Sequence, residues 1–231
     1  MPLKVIPRRD RKLNKLLKAA MPVEYKKTRK IYGRGDESPV AYIVRTGHVR
    51  LTLPRTGSQT ERTVGIVGPN ELFGEEAFSP DVPRRYTAMS GTCCTVAPLD
   101  GSGVFKALRG SPKTLSTFFS SWHADLVSAR RVAGLSGSSS KARIADVLLN
   151  LAGRLGNEEG RRIRLEHWFT HQEIADLAGA HRSTVTTAMN DWIYEGVLKQ
   201  GPGELVIAKP GTLRKAGTEA SRKRRRKRTG G

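Results

Sequence analysis

Cysteine is scarce in this chain of 231 residues: Cys93 and Cys94 are the only two, and they are adjacent. That excludes a disulfide framework and a thiolate-held iron–sulfur cluster, which needs four such ligands. The pair is most simply two positions of one strand. Acid is short as well, with 21 Asp and Glu against 41 Lys and Arg, for a formal net charge of +20. So large an excess implies a polyanionic partner, either nucleic acid or an anionic membrane surface. No apolar run is long enough to span a bilayer, and the basic start MPLKVIPRRDRKLNKLLK has no apolar stretch of signal-peptide length. No membrane association is expected, and a soluble, cytoplasmic protein is. No nucleophile and base stand at a spacing that suggests an enzyme. The length favours two domains.

What the chain does contain is concentrated between Phe169 and Leu198. Thr170-His171-Gln172-Glu173 is a capping box, in which the Thr170 hydroxyl accepts from the Glu173 N–H and the Glu173 carboxylate reaches back to the Thr170 N–H. A helix should start there, with Ile174, Ala175, Leu177 and Ala178 on its apolar face and Gly179 at its end. A second helix should begin near His181 or Arg182 and pack through Val185, Ala188, Met189, Trp192 and Ile193. Its outer face then carries Arg182, Ser183, Thr186, Thr187 and Asn190. Short polar side chains around one arginine suit a helix pressed into a major groove. The candidate DNA-contacting set is therefore Thr170, His171, Gln172, His181, Arg182, Ser183, Thr184, Thr186, Thr187 and Asn190. His167 and His171 stand four apart, but a helix start lies between them, so they read as surface residues rather than metal ligands.

In chain order, residues 1–22 are a basic segment, with Leu13, Leu16, Leu17 and Ala20 spaced as one face of a short helix. Residues 23–111 change to short apolar runs. Ala41–Val44, Val49–Leu53 and Thr92–Val96 have strand composition, and Gly47, Gly57, Gly65 and Gly68 mark turns, which argues for a compact β sandwich or barrel. The stretch Gly68–Phe78 followed by Arg84 and Arg85 combines a glycine-flanked turn, carboxylates and arginine, a set that suits a phosphorylated sugar. Residues 112–140 hold a heptad seam, Leu115, Phe119, Trp122, Leu126, Ala129 and Ala133, read as the seam of a parallel two-chain coiled coil with intramolecular burial as the competing reading, and end in the hinge Ser136–Ser140. Residues 141–211 begin with a helix from Lys141 to Leu155 and a turn over Gly156–Gly160. A short strand at Ile163 and Leu165 comes before the two helices, and a hairpin about Gly201-Pro202-Gly203 follows them. The basic tail, 212–231, includes Arg222-Lys223-Arg224-Arg225-Arg226-Lys227-Arg228, which cannot build a core and is expected to stay disordered.

Gly68–Glu75 with Arg84, the helix segment Ala142–Ala152, and Gln172–Ala175 through Arg182–Val185 together resemble the cyclic-AMP receptor protein and fumarate-nitrate regulator (CRP/FNR) superfamily of bacterial transcription factors, over roughly residues 24–210. The resemblance implies an α+β chain: a β-roll sensor domain, a long dimerisation helix, and a C-terminal winged helix-turn-helix. It further implies a homodimer on a palindromic operator in double-stranded DNA, in contact with RNA polymerase. Arg182 matches the family's base-reading arginine. Ser183 and Thr187 replace a glutamate and a basic residue common there, so operator preference should differ. Gly74, Glu75 and Arg84 match positions that meet ribose and phosphate in cyclic-nucleotide binders. With Phe73, Glu76, Arg85, Tyr86 and the long helix's Ser128 they form the candidate effector set. Arg85 stands where a small hydroxyl residue is usual, a departure that would hold a more acidic ligand, clash with cyclic AMP or leave the pocket empty; cyclic AMP or another cyclic nucleotide is still the first candidate effector, an unknown or absent effector the second, and 2-oxoglutarate the third. The competing function is a nucleoid-type or general nucleic-acid-binding protein whose sensor is vestigial.

Overall fold

The computed structural model describes residues 3–4, 20–58, 60–79, 81–109, 112, 115–116, 138–166 and 169–217. The chain divides into two compact units, Met1–Arg130 and Arg131–Gly231.

The first unit is built of two antiparallel sheets. One orders its strands β1 (Leu3–Lys4), β7 (Glu71–Phe73), β4 (Val40–Thr46), β9 (Cys94–Asp100) and β2 (Val23–Tyr25); the other orders β3 (Lys30–Tyr32), β8 (Thr87–Ser90), β5 (Val49–Pro54) and β6 (Glu61–Val67). Gly47, at φ 71°, carries the chain from β4 in one sheet to β5 in the other. Because successive side chains of a strand point to opposite faces, β4 serves two cores. Ala41 and Ile43 pack with Leu72, Leu99 and Val104 of helix α1 (Gly101–Arg109). Val44 joins Tyr32, Val49, Leu51, Val67, Phe73, Ala88, Cys94 and Val96 between the sheets. A single-turn 3-10 helix, Glu75–Phe78, follows β7, and its Ala77 and Phe78 lean on the α1 side of the core.

The second unit starts with α2 (Ser140–Leu155), capped by the Ser139 hydroxyl, which accepts from the Ala142 N–H at 3.2 Å. Its buried stripe is Ala142, Ile144, Ala145, Leu148, Leu151 and Ala152. Strands β10 (Asn157–Glu159) and β11 (Arg162–Leu165) come before α3 (His171–Ala178) and α4 (Arg182–Tyr194), and β12 (Leu198–Gly201) and β13 (Glu204–Ile207) follow; the sheet runs β10-β11-β13-β12. The wing turn between β12 and β13 uses Gly203 at φ 72°.

Several local expectations change. Residues 156–160 are not a plain turn, since Asn157–Glu159 pairs with β11. Gly65 lies inside β6 opposite Leu51, where the ladder shifts register, and marks a bulge rather than a turn. Cys93 is exposed in a bend before the strand, and only Cys94 enters β9. Helix α1 is absent from the sequence reading, and the sequence pattern of Leu13–Leu17, the seam from Phe119 to Ala133, and the tail beyond residue 217 lie outside the described residues. Among the described residues, no helix is long and apolar enough to cross a membrane and no metal-holding cluster occurs.

Candidate nucleic-acid interface and effector site

The helix pair of the second unit is assembled from local signals. The Thr170 N–H donates to Glu173 Oε2 at 2.7 Å and the Thr170 hydroxyl accepts from the Glu173 N–H at 3.2 Å, which completes the capping box that starts α3. Gly179 ends that helix in the left-handed region, at φ 56°. In α4, Val185, Ala188, Met189 and Trp192 are buried, while His181, Arg182, Ser183, Thr187 and Asn190 are exposed, as are Thr170 and Gln172 of α3's start. Thr184, Thr186 and His171 are half-buried.

Two of the half-buried side chains engage each other. Thr186 Oγ1 lies 2.9 Å from His171 Nδ1 and donates to the Arg182 carbonyl at 3.1 Å. With the hydroxyl hydrogen on that carbonyl, the imidazole is the donor in the other bond. Burial, and then the Arg182 charge, hold the His171 pKa below its ordinary value, so the ring stays neutral near pH 7. His181 caps α4 without a side-chain hydrogen bond, so the first N–H groups of that helix are left open.

A residue absent from the sequence reading fixes the turn between the helices. Arg143, on α2, donates from Nε to the Ala178 carbonyl at 2.7 Å and from Nη2 to the Gly179 carbonyl at 2.9 Å. Its Nη1 meets the Ser138 carbonyl at 2.7 Å. One guanidinium thus ties the start of α2 to the C-terminal carbonyls of α3, the helix end whose dipole favours a cation.

In the sensor unit, Arg84 is 3 % exposed, and Glu76, 4 % exposed, is its ion-pair partner at 3.5 Å. Arg84 Nη1 donates to the Gly74 carbonyl at 3.0 Å and Nη2 to the Val40 carbonyl. The guanidinium carbon sits 4.2 Å over the Tyr32 ring and 5.6 Å from that of Tyr42. Gly74 is at φ 74°, and a Cβ there would lie 2.5 Å from Arg84 Nη1, so this position demands glycine twice over. Phe73 is fully buried and stacked on Tyr42 at 5.2 Å, as part of the core. Glu75 is half-buried, and burial raises its carboxyl above the usual range. Arg85 is exposed and, with Arg34, Leu53, Pro54 and Tyr86, lines an open groove of about 720 Å³. Ser128 lies outside the described residues.

Residues 22–110 match the cyclic nucleotide-binding domain, and residues 142–216 match the Crp-like helix-turn-helix domain. The cyclic AMP receptor protein of Thermus thermophilus is 30 % identical over 195 residues, spanning 82 % of this chain and 84 % of that one. The chain belongs to the CRP/FNR family of transcription regulators. A second CRP/FNR relative, the CRP-like cAMP-activated global transcriptional regulator of Mycobacterium tuberculosis, is 28 % identical over 191 residues, or 80 % of this chain and 82 % of the other. Among solved structures, a CRP/FNR-family transcriptional regulator from Thermus thermophilus aligns with TM-score 0.66 at 27 % identity, covering 87 % of this chain and 100 % of that one. FixK2 from Bradyrhizobium japonicum, at 21 % identity and TM-score 0.70 over 84 % of this chain and 96 % of its own, shares the fold.

As a CRP/FNR regulator the chain combines a DNA-binding helix-turn-helix domain with a sensor of the cyclic nucleotide-binding type, and a cyclic nucleotide is a candidate effector. The residues present fit an anionic oxygen of such a ligand on one observation. Arg84 Nε is buried and has no hydrogen-bond acceptor among the described residues. A buried guanidinium N–H without an acceptor is costly, and a phosphate oxygen would satisfy it. Arg84 would be the residue to hold the phosphate, and Glu75 would be the carboxylate available to a ribose hydroxyl.

Proposed function

We propose that this CRP/FNR regulator reads a palindromic operator in double-stranded DNA as a cytoplasmic homodimer, acts by binding rather than catalysis, and contacts RNA polymerase from the bound site. The observation that carries the reading is the division of α4: its apolar residues are buried, and Arg182, Ser183, Thr187 and Asn190 are left at the surface. A solvated helix would need no such concentration of short side chains around one arginine. It suits a helix in a major groove, where short polar side chains allow close approach and one arginine can reach a guanine. Thr170, Gln172, His181 and the open N–H groups of α4 serve the phosphates, which set register without reading sequence. Thr186 and His171, engaged with each other, position α4 and leave base reading to Arg182.

Dimerisation would run through the seam from Leu115 to Ala133. Leu115 is 38 % exposed, as a seam residue awaiting a second copy should be. Two recognition helices then fall about 34 Å apart, one turn of DNA. A cyclic nucleotide held at Arg84 would favour the arrangement whose helices match that spacing, by its differential affinity for the two arrangements.

The test is Arg182→Ala. Binding to the operator should weaken by about 1–3 kcal/mol while binding to scrambled duplex changes little, since the arginine's worth lies in one bidentate base contact. Equal losses on both DNAs in a gel-shift titration would defeat base reading. They would favour sequence-independent, nucleoid-type binding, which the +20 charge also suits.

A further inference from the structure

The sensor's buried cation already faces a carboxylate of its own chain. Glu76 Oε1 accepts the Arg85 backbone N–H at 3.0 Å, while its other oxygen, Oε2, stands 3.5 Å from Arg84 Nη1 and takes no hydrogen bond among the described residues. Both side chains are almost wholly buried. The pair is thus doubly incomplete: Arg84 Nε lacks an acceptor and Glu76 Oε2 lacks a donor. Buried ions are retained at a net gain only when hydrogen bonds complete them. This arrangement holds charge against charge without completing either.

We propose that Glu76 competes with the effector for Arg84, and that a cyclic phosphodiester enters by displacing it. The proposal rests on the reading of the first unit as a cyclic-nucleotide sensor. Within the set of side chains read as effector-binding, it makes Glu76 the one that opposes the effector. A phosphodiester offers what the carboxylate, tethered through the Arg85 N–H and 3.5 Å away, does not deliver: two anionic oxygens free to come within hydrogen-bond range of the guanidinium. Arg84 need not move to receive it. Its two carbonyl bonds to Gly74 and Val40, and the Tyr32 ring beneath it, hold the guanidinium plane whether or not Glu76 is there.

What moves is the 3-10 turn. Glu76 is fixed to Arg85 N–H, and the same turn carries Ala77 and Phe78, which pack on the cluster containing Val104 of α1. The backbone at Gly101, the first residue of α1, is so close to the Ala77 carbonyl that no side chain fits between them. Expelling the carboxylate therefore presses on the start of α1. The competition also sets the threshold of the sensor, because apparent affinity falls by the fraction of molecules in which Arg84 is open.

The experiment is isothermal titration of the full chain and of Glu76→Gln with cyclic AMP and cyclic GMP. Glutamine keeps the carbonyl that accepts from Arg85 and removes only the charge. The variant should bind at least about tenfold more tightly, because the open fraction rises. Equal or weaker finite affinity in the variant would overturn the displacement and leave the nucleotide reading standing. Absence of binding by both proteins would overturn the nucleotide reading, and the displacement with it. In the unaltered protein, the Arg84 Nε–H resonance, assigned by its loss in Arg84→Lys, should shift on nucleotide addition and exchange more slowly with solvent. An unmoved resonance at saturating nucleotide would also overturn the displacement, even if Glu76→Gln failed to fold.

Discussion

His171 shows how far a single side chain's role depends on what it touches. In sequence it is an exposed candidate for DNA contact; in the fold it is half-buried and spans from α3 to Thr186 on α4. Its pKa lies below 6.5, lowered by burial and by the charge of Arg182. A base with a lowered folded-state pKa binds fewer protons in the native protein than in the unfolded one. Stability is therefore complete above about pH 6.5 and is lost as the pH falls through that value toward the lower folded pKa. Thermal midpoints of the winged unit should drop between about pH 7 and pH 5. In His171→Gln, which keeps a donor for Thr186, that drop should be flatter. An identical pH profile in the variant would show that His171 is not the group that titrates. Thr186 follows from the same contact: its hydroxyl serves the Arg182 carbonyl and the imidazole, so it is a joint between helices.

Among the elements, the α3–turn–α4 unit depends most on Arg143. Hydrogen bonds to charged groups are worth about 1.5–3 kcal/mol each, and less where, as at Gly179, the bond is exposed. Arg143→Ala should therefore lower the unfolding free energy of the winged unit by roughly 2–3 kcal/mol. Urea denaturation followed by tryptophan fluorescence would register this as a lower midpoint; an unchanged midpoint would remove Arg143 from the account of the turn. The residues that begin and end α3 were legible in sequence because their chemistry is local: Thr170 and Glu173 are three apart, and Gly179 is the position that needs φ > 0. Arg143 was not, since its carbonyl partners on α3 lie 35 and 36 residues away and an arginine on a helix carries no mark of its acceptors. Strand β10 hid for a related reason, because its three residues, Asn157–Glu159, are all exposed and polar and carry no apolar alternation. In the sensor, Gly74, Glu75 and Arg84 stood out by type and spacing. That Glu76 faces the arginine is decided by the rotation of one 3-10 turn, which neighbouring glutamates cannot reveal in sequence.

For the whole molecule the excess of positive charge sets the encounter with DNA. The segment Arg222–Arg228 supplies seven of the 41 basic residues. Each phosphate neutralised contributes about 0.9 to the slope of log affinity against log salt. Removing everything after Ala220 should flatten that slope by as much as roughly six on operator and scrambled duplex alike. An unchanged slope would mean that the tail contributes nothing to binding.

The Arg143 guanidinium has a wider consequence for control. The end of α3, the turn and the start of α2 are tied to one planar group, and α4 is joined back to α3 through His171, so the helix pair is braced from both sides. In the proposed dimer, a signal from elsewhere in the chain would then carry the surface that meets the bases as one body, and the regulated variable would be the separation of two heads. Ligand state should then alter tolerance to spacer length between half-sites, while preference within each half-site stays the same.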